Sequence, residues 1–462
     1  MCGIFAAFSS DKKLLAEVTS LQDSIINTIQ KRGPDKSTVE LGENFVAIHT
    51  LLSMTGYRTQ PIKTVKSMLV FNGEVYNEYR NYTNDFNDAD YIVSQFEKKG
   101  PAAFKNFDGE FAIVLYSKED NQLFLATDPF ASKPLYFKLG KDFCFAGSYE
   151  TTIKAAGGQG PIERIPSNKL IQIDLNRFKI VKTTPLASFN FTKQVNQSLN
   201  DWTKAFQKAL IKRTFNTKHR AFIGLSSGHD SGLIAAELIN LGVPFHSYIM
   251  TYLEDQEIIK KRIRILQEHK LTFDIVEPSK EEWQRMKKFV EENIDPYQLI
   301  NSESTFQNYD DPRIHMIPGT ISGCLINERA RKDNRLISLS GQGGDEIFAD
   351  YYNEYTYSRM SELKGNWENI KSPWKNFSGG WNQVFLGANE RVSGLFGIES
   401  RYPFLDFEVV QEFLNLDPKL KAKYYKAPIT NRLLELKFPF HYKKFGFAGF
   451  KDDTLSTKPA ST

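Results

Sequence analysis

The stretch Gly224-Leu225-Ser226-Ser227-Gly228-His229-Asp230-Ser231-Gly232 joins a predicted strand at 220–225 to a predicted helix at 231–241. Its small residues let the backbone approach an anion, and the N-terminus of the helix favours a phosphate group at that place. The stretch lacks the Gly-Lys-Ser/Thr end of a Walker loop, which argues against transfer of a γ-phosphoryl group. Because Ser and Asp are also favoured helix caps, the stretch alone is equally compatible with an ordinary helix start.

Helix and strand patterns alternate around this stretch. Further helices are predicted at 200–215, 255–269 and 280–293, and further strands at 244–251 and 335–340. Such alternation is typical of an α/β domain, in which a parallel sheet is covered by helices on both faces. The pattern therefore predicts this architecture for the C-terminal half.

The N-terminal half has a different pattern. A strand at 3–8 and an amphipathic helix at 13–31 are followed by short strands, with one helical stretch at 88–106. The short strands are predicted at 45–52, 67–72, 111–117, 122–127, 134–138 and 142–147. Many short strands with few helices predict an α+β domain of stacked antiparallel sheets.

The composition changes between the two halves. Residues 184–199 are rich in Thr, Ser, Asn and Gln and are predicted to be a linker, with the domain boundary near residue 190. We therefore expect domains at 2–190 and 191–450, followed by a polar tail at 451–462.

The composition also excludes several classes of protein. The 462 residues carry 59 Lys and Arg against 55 Asp and Glu, and the net charge of +4 is too weak to imply a nucleic-acid or anionic-membrane partner. No apolar run approaches the roughly 18 residues of a membrane span, and the N-terminus lacks the basic start of a signal peptide. The cysteines at 2, 144 and 324 form neither a disulfide framework nor a zinc site. We expect a cytoplasmic protein with small-molecule partners, and a homodimer is one of the assemblies that the sequence allows.

Cys2 is a candidate nucleophile. If Met1 is removed, Cys2 carries both a thiol and a free α-amine, whose ordinary pKa of about 8 lets it accept the thiol proton. No catalytic histidine is then required. On position alone, the plainer interpretation is a cysteine that is simply buried, as free cysteines often are.

Further short segments of the N-terminal half strengthen the catalytic interpretation. They are Arg32-Gly33-Pro34-Asp35, Asn72-Gly73-Glu74-Val75-Tyr76-Asn77, Asp90 at a helix start, Phe107-Asp108-Gly109-Glu110-Phe111-Ala112 and Lys133-Pro134-Leu135-Tyr136. Together with Cys2-Gly3-Ile4-Phe5, their order resembles class II glutamine amidotransferases of the N-terminal-nucleophile type over about 180 residues. Any one segment could be only a turn, whereas five in order favour the resemblance.

The resemblance implies a mechanism for this half. Cys2 would attack the side-chain amide of glutamine and form a thioester, which releases ammonia. The Asn72 side chain and the Gly73 N–H would form the oxyanion hole, where each donor stabilises the transition state by about 3 kcal/mol. Gly73 would also line the glutamine pocket.

The resemblance implies further contacts to glutamine. Asp90 would bind the α-ammonium group, Glu74 would line the pocket, and Arg32 with Asp35 would order the loop over it. Where the family usually has an Arg that clasps the glutamine carboxylate, this chain has Leu51. Either another cation supplies the clasp or glutamine use is impaired.

Three segments extend the resemblance into the C-terminal half. The opening stretch is similar to the pyrophosphate loop Ser-Gly-Gly-x-Asp-Ser of the ATP pyrophosphatase superfamily, with Ser227 in place of a Gly. Two later segments resemble the second and third signatures of the asparagine synthetase family: Leu339-Ser340-Gly341-Gln342-Gly343-Gly344-Asp345-Glu346-Ile347-Phe348 and Arg401-Tyr402-Pro403-Phe404-Leu405-Asp406. The resemblance covers roughly residues 2–450 and implies a ligase that uses ATP and glutamine.

On that resemblance a carboxylate becomes an acyl-adenylate, pyrophosphate leaves, and ammonia displaces AMP. The residues implied at the ATP and pyrophosphate site are Leu225, Ser226, Ser227, Gly228, Asp230, Ser231, Met250, Ser340, Gly341 and Lys444. Asp230 and Asp345 would hold Mg²⁺, which favours one or two carboxylates with phosphate oxygens. Lys444 would neutralise the leaving pyrophosphate, although a basic pair at 443–444 is also typical of a solvated turn. No tightly bound organic cofactor is expected.

Departures from the family pattern bear on the acceptor. Gln342 and Asp345 would face the acceptor, and asparagine-forming enzymes usually carry Glu where Gln342 stands. Tyr402 replaces a small apolar residue, Thr430 replaces an Arg, and His229, which replaces an apolar residue, is given no role. Three functions stay open: amidation of aspartate as the default acceptor; the same chemistry on a carboxylate of a sugar, a nucleobase or a natural-product precursor; and a catalytically quiet paralogue that binds nucleotide or glutamine.

Overall fold

The structure is a computed structural model that describes residues 1–54, 56–83, 86–215, 217–252, 254–294, 318–352 and 361–441. The strands are β1 Gly3–Ser9, β2 Lys36–Leu41, β3 Phe45–Leu51, β4 Ile62–Lys63, β5 Ser67–Val75, β6 Gly109–Ser117, β7 Gln122–Thr127, β8 Tyr136–Leu139, β9 Phe143–Gly147, β10 Glu163–Arg164, β11 Lys169–Asp174, β12 Lys179–Pro185, β13 Ala221–Gly224, β14 His246–Met250, β15 Thr272–Val276, β16 Ile337–Leu339 and β17 Glu399–Arg401. The helices are α1 Lys12–Ser20, α2 Gln22–Ile29, α3 Asp88–Lys99, α4 Glu150–Ala155, α5 Asn200–Thr214, α6 His229–Asn240, α7 Gln256–Glu268, α8 Lys280–Asn293, α9 Pro318–Lys332, α10 Gly344–Phe348, α11 Lys375–Ser378, α12 Gly380–Leu395, α13 Phe407–Asn415, α14 Pro418–Ala422 and α15 Ala427–Glu435.

The N-terminal half consists of two antiparallel sheets packed face to face. One has the strand order β10-β8-β9-β1-β3-β2, and the other has the order β12-β11-β7-β6-β5-β4. Their inner faces share one core, in which Ile4 and Phe8 of the first sheet pack with Met68 and Val114 of the second. Helices α1, α2 and α4 cover the outer face of the first sheet, and α3 covers that of the second. The prediction of stacked antiparallel sheets is confirmed.

Several predicted elements differ from the structure in detail. The helix predicted at 13–31 is two helices that meet at Leu21, and the helix predicted at 88–106 ends at Lys99 and continues as a 3-10 helix. Strands β2 and β12 were missed because they are largely exposed and polar, which conceals the alternation of a strand. The predicted linker begins inside β12 for the same reason.

The C-terminal half contains a parallel sheet with the strand order β15-β14-β13-β16-β17. The chain moves outward from β13 to β15 and then returns to place β16 on the other side of β13. In open sheets of this kind, ligands bind outside the carboxyl ends of the two strands where the order reverses. The loop after β13 is the opening stretch of the sequence analysis, and the loop after β16 is the second signature. The predicted α/β architecture is confirmed.

The two halves meet through a shared core. The hydrophobic core of the C-terminal half also contains Met1, Leu52, Met54 and Phe130. Strand β12 ends before α5 begins, and the predicted boundary at 190 falls between them. No helix in the described ranges is long and apolar enough to cross a membrane. The predicted tail at 451–462 lies outside the described residues.

Candidate active site

Cys2 lies buried directly before β1, where the two halves meet. Its backbone N–H donates to Asn72 Oδ1 at 2.8 Å, and its Sγ lies 3.9 Å from the Leu52 carbonyl oxygen. Burial raises the pKa of the Cys2 thiol to about 11, so the thiol is protonated in this environment. The terminal amine belongs to Met1 and lies 3.0 Å from Glu399 Oε2. Removal of Met1 would give the amine to Cys2 and so supply a base next to the thiol.

Asn72 and Gly73 follow each other in β5, next to the nucleophile. Asn72 is fully buried, and its Nδ2 has no hydrogen-bond partner within the described part of the chain. A buried donor without a partner is costly, which indicates a position prepared for a ligand acceptor. Gly73 has a φ of +132°, and a Cβ there would lie 1.9 Å from the Glu110 carbonyl oxygen, so only glycine fits. The structure brings Asn72 into contact with Cys2, and Gly73 is the next residue of the same strand.

Buried carboxylates and an arginine lie close to this site. Arg401 Nη2 lies 3.1 Å from Glu74 Oε1 and 2.6 Å from Glu399 Oε1. Burial and the neighbouring Glu399 raise the pKa of Glu74 well above its ordinary value. Burial also raises the pKa of Asp88 to about 7, although its bonds to backbone N–H groups act in the other direction. The raised pKa values show that these carboxyls are held close together, where a positive group of a ligand would favour their charged forms.

The structure corrects the assignment of Asp90. Asp90 is the third residue of α3, where its carboxylate accepts the Asn87 N–H at the helix start and pairs with Arg58 at 2.7 Å. Asp88, the first residue of α3, is buried, accepts the Val75 N–H of β5 at 3.3 Å, and carries a charge that acts on the nucleophile's thiol. Residues two apart in a helix point to different sides, since each residue turns the helix by about 100°. Of the two carboxylates, Asp88 is therefore the one that is buried on the side of β5 and Cys2.

Leu51 supplies no cation, as expected, whereas Arg32 makes contacts other than those expected. Leu51 is buried at the end of β3, so this position supplies no cation. Asp35 Oδ2 accepts a backbone N–H of the segment after β3 at 2.8 Å and so orders that segment. Arg32 donates from Nε to the Cys2 carbonyl oxygen at 3.0 Å and pairs with Glu390 at 3.0 Å. Arg32 therefore fixes the backbone of Cys2.

The two glycine-rich segments of the C-terminal half meet at the carboxyl edge of the parallel sheet. A Cβ at Gly341 would lie 2.8 Å from the Asp230 Cβ, and a Cβ at Gly344 would lie 2.3 Å from Asp230 Oδ1. Glycine at both positions therefore permits the close approach of the two loops. Within the first loop, the Ser226 and Ser231 hydroxyl oxygens lie 2.8 Å apart.

Lys426 lies between the two carboxylates predicted to hold a metal, and the sequence analysis missed it. Its Nζ lies 2.6 Å from Asp230 Oδ2 and 3.0 Å from Asp345 Oδ1. Although burial disfavours the ammonium, Asp230 and Asp345 raise the pKa of Lys426 above its ordinary value. Nowhere in the described ranges do three or more metal-ligating side chains lie together. Two carboxylates nevertheless converge on one cation position, which fits the donor set of Mg²⁺ bound together with phosphate oxygens.

The structure also corrects the assignment of Ser227. This residue is fully buried, its N–H donates to Glu254 Oε2 at 2.6 Å, and its hydroxyl donates to the same carboxylate. Because both donors face the protein interior, Ser227 has no donor to offer to a phosphate. Glu254 follows β14 in the chain, and no motif in the sequence marks it.

The remaining predicted residues of this half lie mostly at the same sheet edge. Leu225 directly follows β13 and Met250 ends β14, and both side chains are buried. Ser340 follows β16, and its Oγ accepts the Gln342 N–H at 3.3 Å. Lys444 lies outside the described residues.

Two of the departures from the family pattern are buried near Lys426. The His229 ring centroid lies 4.9 Å from that of Phe440. Burial, together with the positive charge of Lys426, lowers the pKa of His229 to about 3, so the ring is uncharged. Thr430 donates from Oγ1 to the Tyr425 carbonyl oxygen at 2.6 Å. These contacts give both side chains a structural role.

The third departure, Tyr402, belongs to a buried polar network between the halves. Its hydroxyl donates to Glu390 Oε1 at 2.8 Å, and Lys133 Nζ lies 2.9 Å from the same oxygen. Glu390 also pairs with Arg32, which holds the carbonyl of Cys2. Removing one member would leave a buried charge without its partner, at a cost of about 3–5 kcal/mol. The network therefore connects the nucleophile's backbone to the C-terminal half.

A cavity of about 560 Å³ lies beside Lys426. Its wall combines five aromatic rings with three lysines: Phe348, Tyr352, Trp367, Tyr424, Tyr425, Lys421, Lys423 and Lys426. No carboxylate belongs to the described part of this wall. Lys426 is paired with Asp230 and Asp345, and the Lys421 Nζ donates to the Leu414 carbonyl oxygen. The five rings and Lys423 therefore remain to contact a ligand, and they favour an aromatic or anionic group.

Known proteins match both halves of the chain. A family model for the glutamine amidotransferase domain matches residues 1–197, and one for asparagine synthase matches residues 201–390. The chain belongs to the asparagine synthetase family. A Methanocaldococcus jannaschii protein named as a glutamine-hydrolysing asparagine synthetase is 25% identical, over 94% of this chain and 83% of that protein. The asparagine synthetase of Homo sapiens is 23% identical, over 95% of this chain and 81% of that protein.

As a member of the asparagine synthetase family, the chain is a glutamine-dependent carbon–nitrogen ligase, and this family uses ATP.

The sequence contains a signal that favours Asp88 over Asp90. Asn87 followed three residues later by Asp90 is a capping-box pattern, which turns the Asp90 side chain back to the helix start. Lys426 has no comparable signal. Its role depends on carboxylates 196 and 81 positions earlier, at Asp230 and Asp345.

Proposed function

We propose that this asparagine synthetase family member releases ammonia from glutamine at Cys2 and uses it to amidate a carboxylate activated as an acyl-adenylate. AMP and pyrophosphate would be the products of the second half. The observation that carries the proposal is the contact of the Cys2 N–H with Asn72 Oδ1, which leaves the Asn72 Nδ2 donor unpartnered among the described residues. That donor is where an oxyanion would be accepted.

In the glutaminase half, the α-amine exposed by loss of Met1 would take the proton of the Cys2 thiol. The thiolate would then attack the amide carbon of glutamine, and Asn72 Nδ2 with the Gly73 N–H would stabilise the resulting oxyanion by about 3 kcal/mol each. The amine would return the proton to the leaving ammonia, and water would release glutamate from the thioester. Arg32 supports these steps by holding the Cys2 carbonyl oxygen.

In the glutamine pocket, Asp88 would bind the α-ammonium group in place of Asp90. Glu74, held by Arg401, would line the same pocket. Because Leu51 is uncharged, the α-carboxylate would be held more weakly than by an arginine at this position. We therefore propose that glutamine is used, with an affinity below that of a site with a bidentate arginine.

In the synthetase half, Ser226, Gly228 and Ser231 would bind the pyrophosphate portion of ATP. Leu225 and Met250 would contact the adenine through their backbones, and Ser340 with Gly341 would complete the ATP site. Asp230 and Asp345 would hold Mg²⁺, which neutralises charge on the phosphates when bound. Lys426 would assist them, and Lys444 stays a prediction.

Aspartate is the default acceptor, and the cavity beside Lys426 favours the alternative of another carboxylate. The α-ammonium of aspartate needs a carboxylate partner, whereas Gln342 is neutral and the described wall of the cavity contains no carboxylate. A carboxylic acid with a further anionic or aromatic group, such as a sugar, nucleobase or natural-product precursor, fits that wall better. A catalytically quiet paralogue, the third function considered, would not explain why the buried Asn72 Nδ2 beside Cys2 has no partner among the described residues.

Exchange of pyrophosphate into ATP, measured across a panel of carboxylic acids, tests these assignments. Exchange with aspartate alone would select the default acceptor, exchange with another acid would select the alternative, and no exchange with any acid would favour the quiet paralogue. Amide formation is then measured with ammonia and with glutamine. A Cys2→Ala variant should keep the ammonia-dependent rate and lose the glutamine-dependent rate, and equal rates with glutamine would overturn the role of Cys2.

The organisation of the chain is proposed as well. The family matches at residues 1–197 and 201–390 support domains at 2–190 and 191–450. The homodimer stays a prediction, which sedimentation of the full chain would test.

A further inference from the structure

Arg262, on α7, is a buried arginine whose partners are neutral. Its Nη1 donates to the Ser226 carbonyl oxygen, its Nη2 to the Gly228 carbonyl oxygen at 2.9 Å, and its Nε to the Pro439 carbonyl oxygen at 2.8 Å. Among the described residues no carboxylate pairs with it directly; burial lowers its pKa to about 9, and the nearby charge of Glu254 opposes this shift. A buried charge that is not directly paired with a carboxylate is costly, so we looked for what its three carbonyl contacts achieve.

The contacts of Arg262 fix the orientation of two peptide groups in the phosphate-binding loop. In a trans peptide, the C=O and the following N–H point in opposite directions. The Ser226 carbonyl faces Arg262, and the Ser227 N–H on the other side of that peptide is taken by Glu254. The Gly228 carbonyl also faces Arg262, so the His229 N–H points away from it.

The His229 N–H is the first backbone donor of α6. Gly228 caps this helix and has no side chain that could accept the donor, and no hydrogen bond to it forms among the described residues. Arg262 therefore directs carbonyl oxygens, which would repel a phosphate, to the rear of the loop. The same contacts leave a backbone donor at the helix start, where an anion is favoured.

Gly232 makes room for this arrangement. A Cβ at position 232 would lie 2.3 Å from Arg262 Nη2 and 2.9 Å from Arg262 Cζ. Gly232 lies inside α6, where glycine costs about 1 kcal/mol relative to alanine. The glycine is therefore unfavourable for the helix alone and is explained by the guanidinium that it admits.

We propose that Arg262 is the positioning residue of the phosphate-binding loop, and that Gly232 is required because it admits the guanidinium. The inference rests on the proposed function, since it assumes that this loop binds the phosphates of ATP. Arg262 acts through the loop backbone and does not touch the nucleotide. It is a charged support of the loop, placed on the side opposite the ligand.

Binding of Mg–ATP, measured by calorimetry on the full chain, tests this inference without knowledge of the acceptor. Arg262→Ala should weaken binding roughly 10- to 100-fold, as expected for loss of hydrogen bonds from a charged donor. Arg262→Lys should bind with intermediate affinity, and added guanidinium ion should partly restore Arg262→Ala. Glutaminase activity serves as the folding control, because that site lies in the other half.

The Gly232→Ala variant provides a second, independent test. Alone it should weaken Mg–ATP binding, whereas in the Arg262→Ala background it should have little further effect, because the clash is then gone. If Arg262→Ala does not fold, the test rests on Arg262→Lys and Gly232→Ala. Wild-type affinity for Mg–ATP in both of these variants would overturn the proposal. The proposal would also be overturned if a folded Arg262→Ala bound Mg–ATP with full affinity, or if guanidinium did not improve its binding. It would equally be overturned if the losses of affinity in Arg262→Ala and Gly232→Ala added up in the double variant. If the wild-type chain itself does not bind Mg–ATP, the proposed function fails and this inference fails with it.

Discussion

Replacement of Asp88 by asparagine tests which carboxylate recognises glutamine. The substitution keeps the size of the side chain and removes its charge. Asp88 is buried, and it accepts the Val75 N–H at 3.3 Å on β5, the strand that carries the proposed oxyanion-hole residues. In Asp88→Asn, the α-ammonium of glutamine would face a neutral amide.

The expected magnitude follows from the interaction of two charges. At 3–4 Å and an effective dielectric constant of about 20, an ammonium and a carboxylate attract by about 4 kcal/mol. Desolvation of the two groups offsets part of this attraction, so we expect a loss of about 2–4 kcal/mol. This corresponds to a decrease of roughly 30- to 700-fold in kcat/KM for glutamine.

Asp90→Asn, two residues away on the same helix, is the matched control. The Asp90 side chain pairs with Arg58, which is 41% exposed, and such a pair contributes about 1 kcal/mol or less. The assay is release of glutamate from glutamine, with ammonia-dependent amidation measured in parallel. Both variants should keep the ammonia-dependent rate. A larger loss in Asp90→Asn than in Asp88→Asn would refute the assignment of Asp88.

The same residue gives a pH dependence. Burial raises the pKa of Asp88 to about 7, so the free enzyme protonates this carboxyl as the pH falls through 7. Protonation removes the partner of the α-ammonium, so kcat/KM for glutamine should fall on the acid side of this pH. The decline should be absent in Asp88→Asn. An unchanged acid limb in that variant would assign the titration to another group.

Three further substitutions have definite expected outcomes. Asn72→Ala should lower glutamine hydrolysis by roughly 10²- to 10³-fold and leave ammonia-dependent amidation intact, whereas an unchanged hydrolysis rate would exclude Asn72 from the oxyanion hole. Gly73→Ala places a Cβ 1.9 Å from the Glu110 carbonyl oxygen at a φ of +132°, so thermal melting should show a loss of more than about 1 kcal/mol together with loss of glutaminase. Lys426→Met removes the ammonium beside Asp230, and pyrophosphate exchange should fall by about 100-fold or more while glutaminase persists; retained exchange would contradict its role.

The sequence was informative wherever function depends on local backbone chemistry. The loop at 224–232 and the segment at 339–348 could be recognised because glycine and small residues are required where two loops and an anion approach closely. The change from short strands to alternating helices and strands also predicted both fold classes, because periodicity follows from which faces are buried. Cys2 could be proposed as the nucleophile because the proposed chemistry requires a thiol at the start of the chain.

The sequence did not decide which of several neighbouring side chains faces the site. Asp88 and Asp90 are both acidic residues of one helical turn, and only the packing of α3 against β5 buries the first. Ser227 belongs to the loop motif, yet Glu254, 27 residues later, turns both of its donors inward. The orientation of a side chain depends on its partners, which no local pattern records.

The amino-acid sequence was enough to predict the two fold classes, the candidate nucleophile and the candidate phosphate-binding loop. Two buried cations at these sites could be identified only from the three-dimensional packing: Lys426 lies between Asp230 and Asp345, and Arg262 lies behind the loop. The physical reason is the range of the interactions. Backbone geometry is set by a few consecutive residues, whereas a buried charge is stable only when groups from distant parts of the chain meet around it.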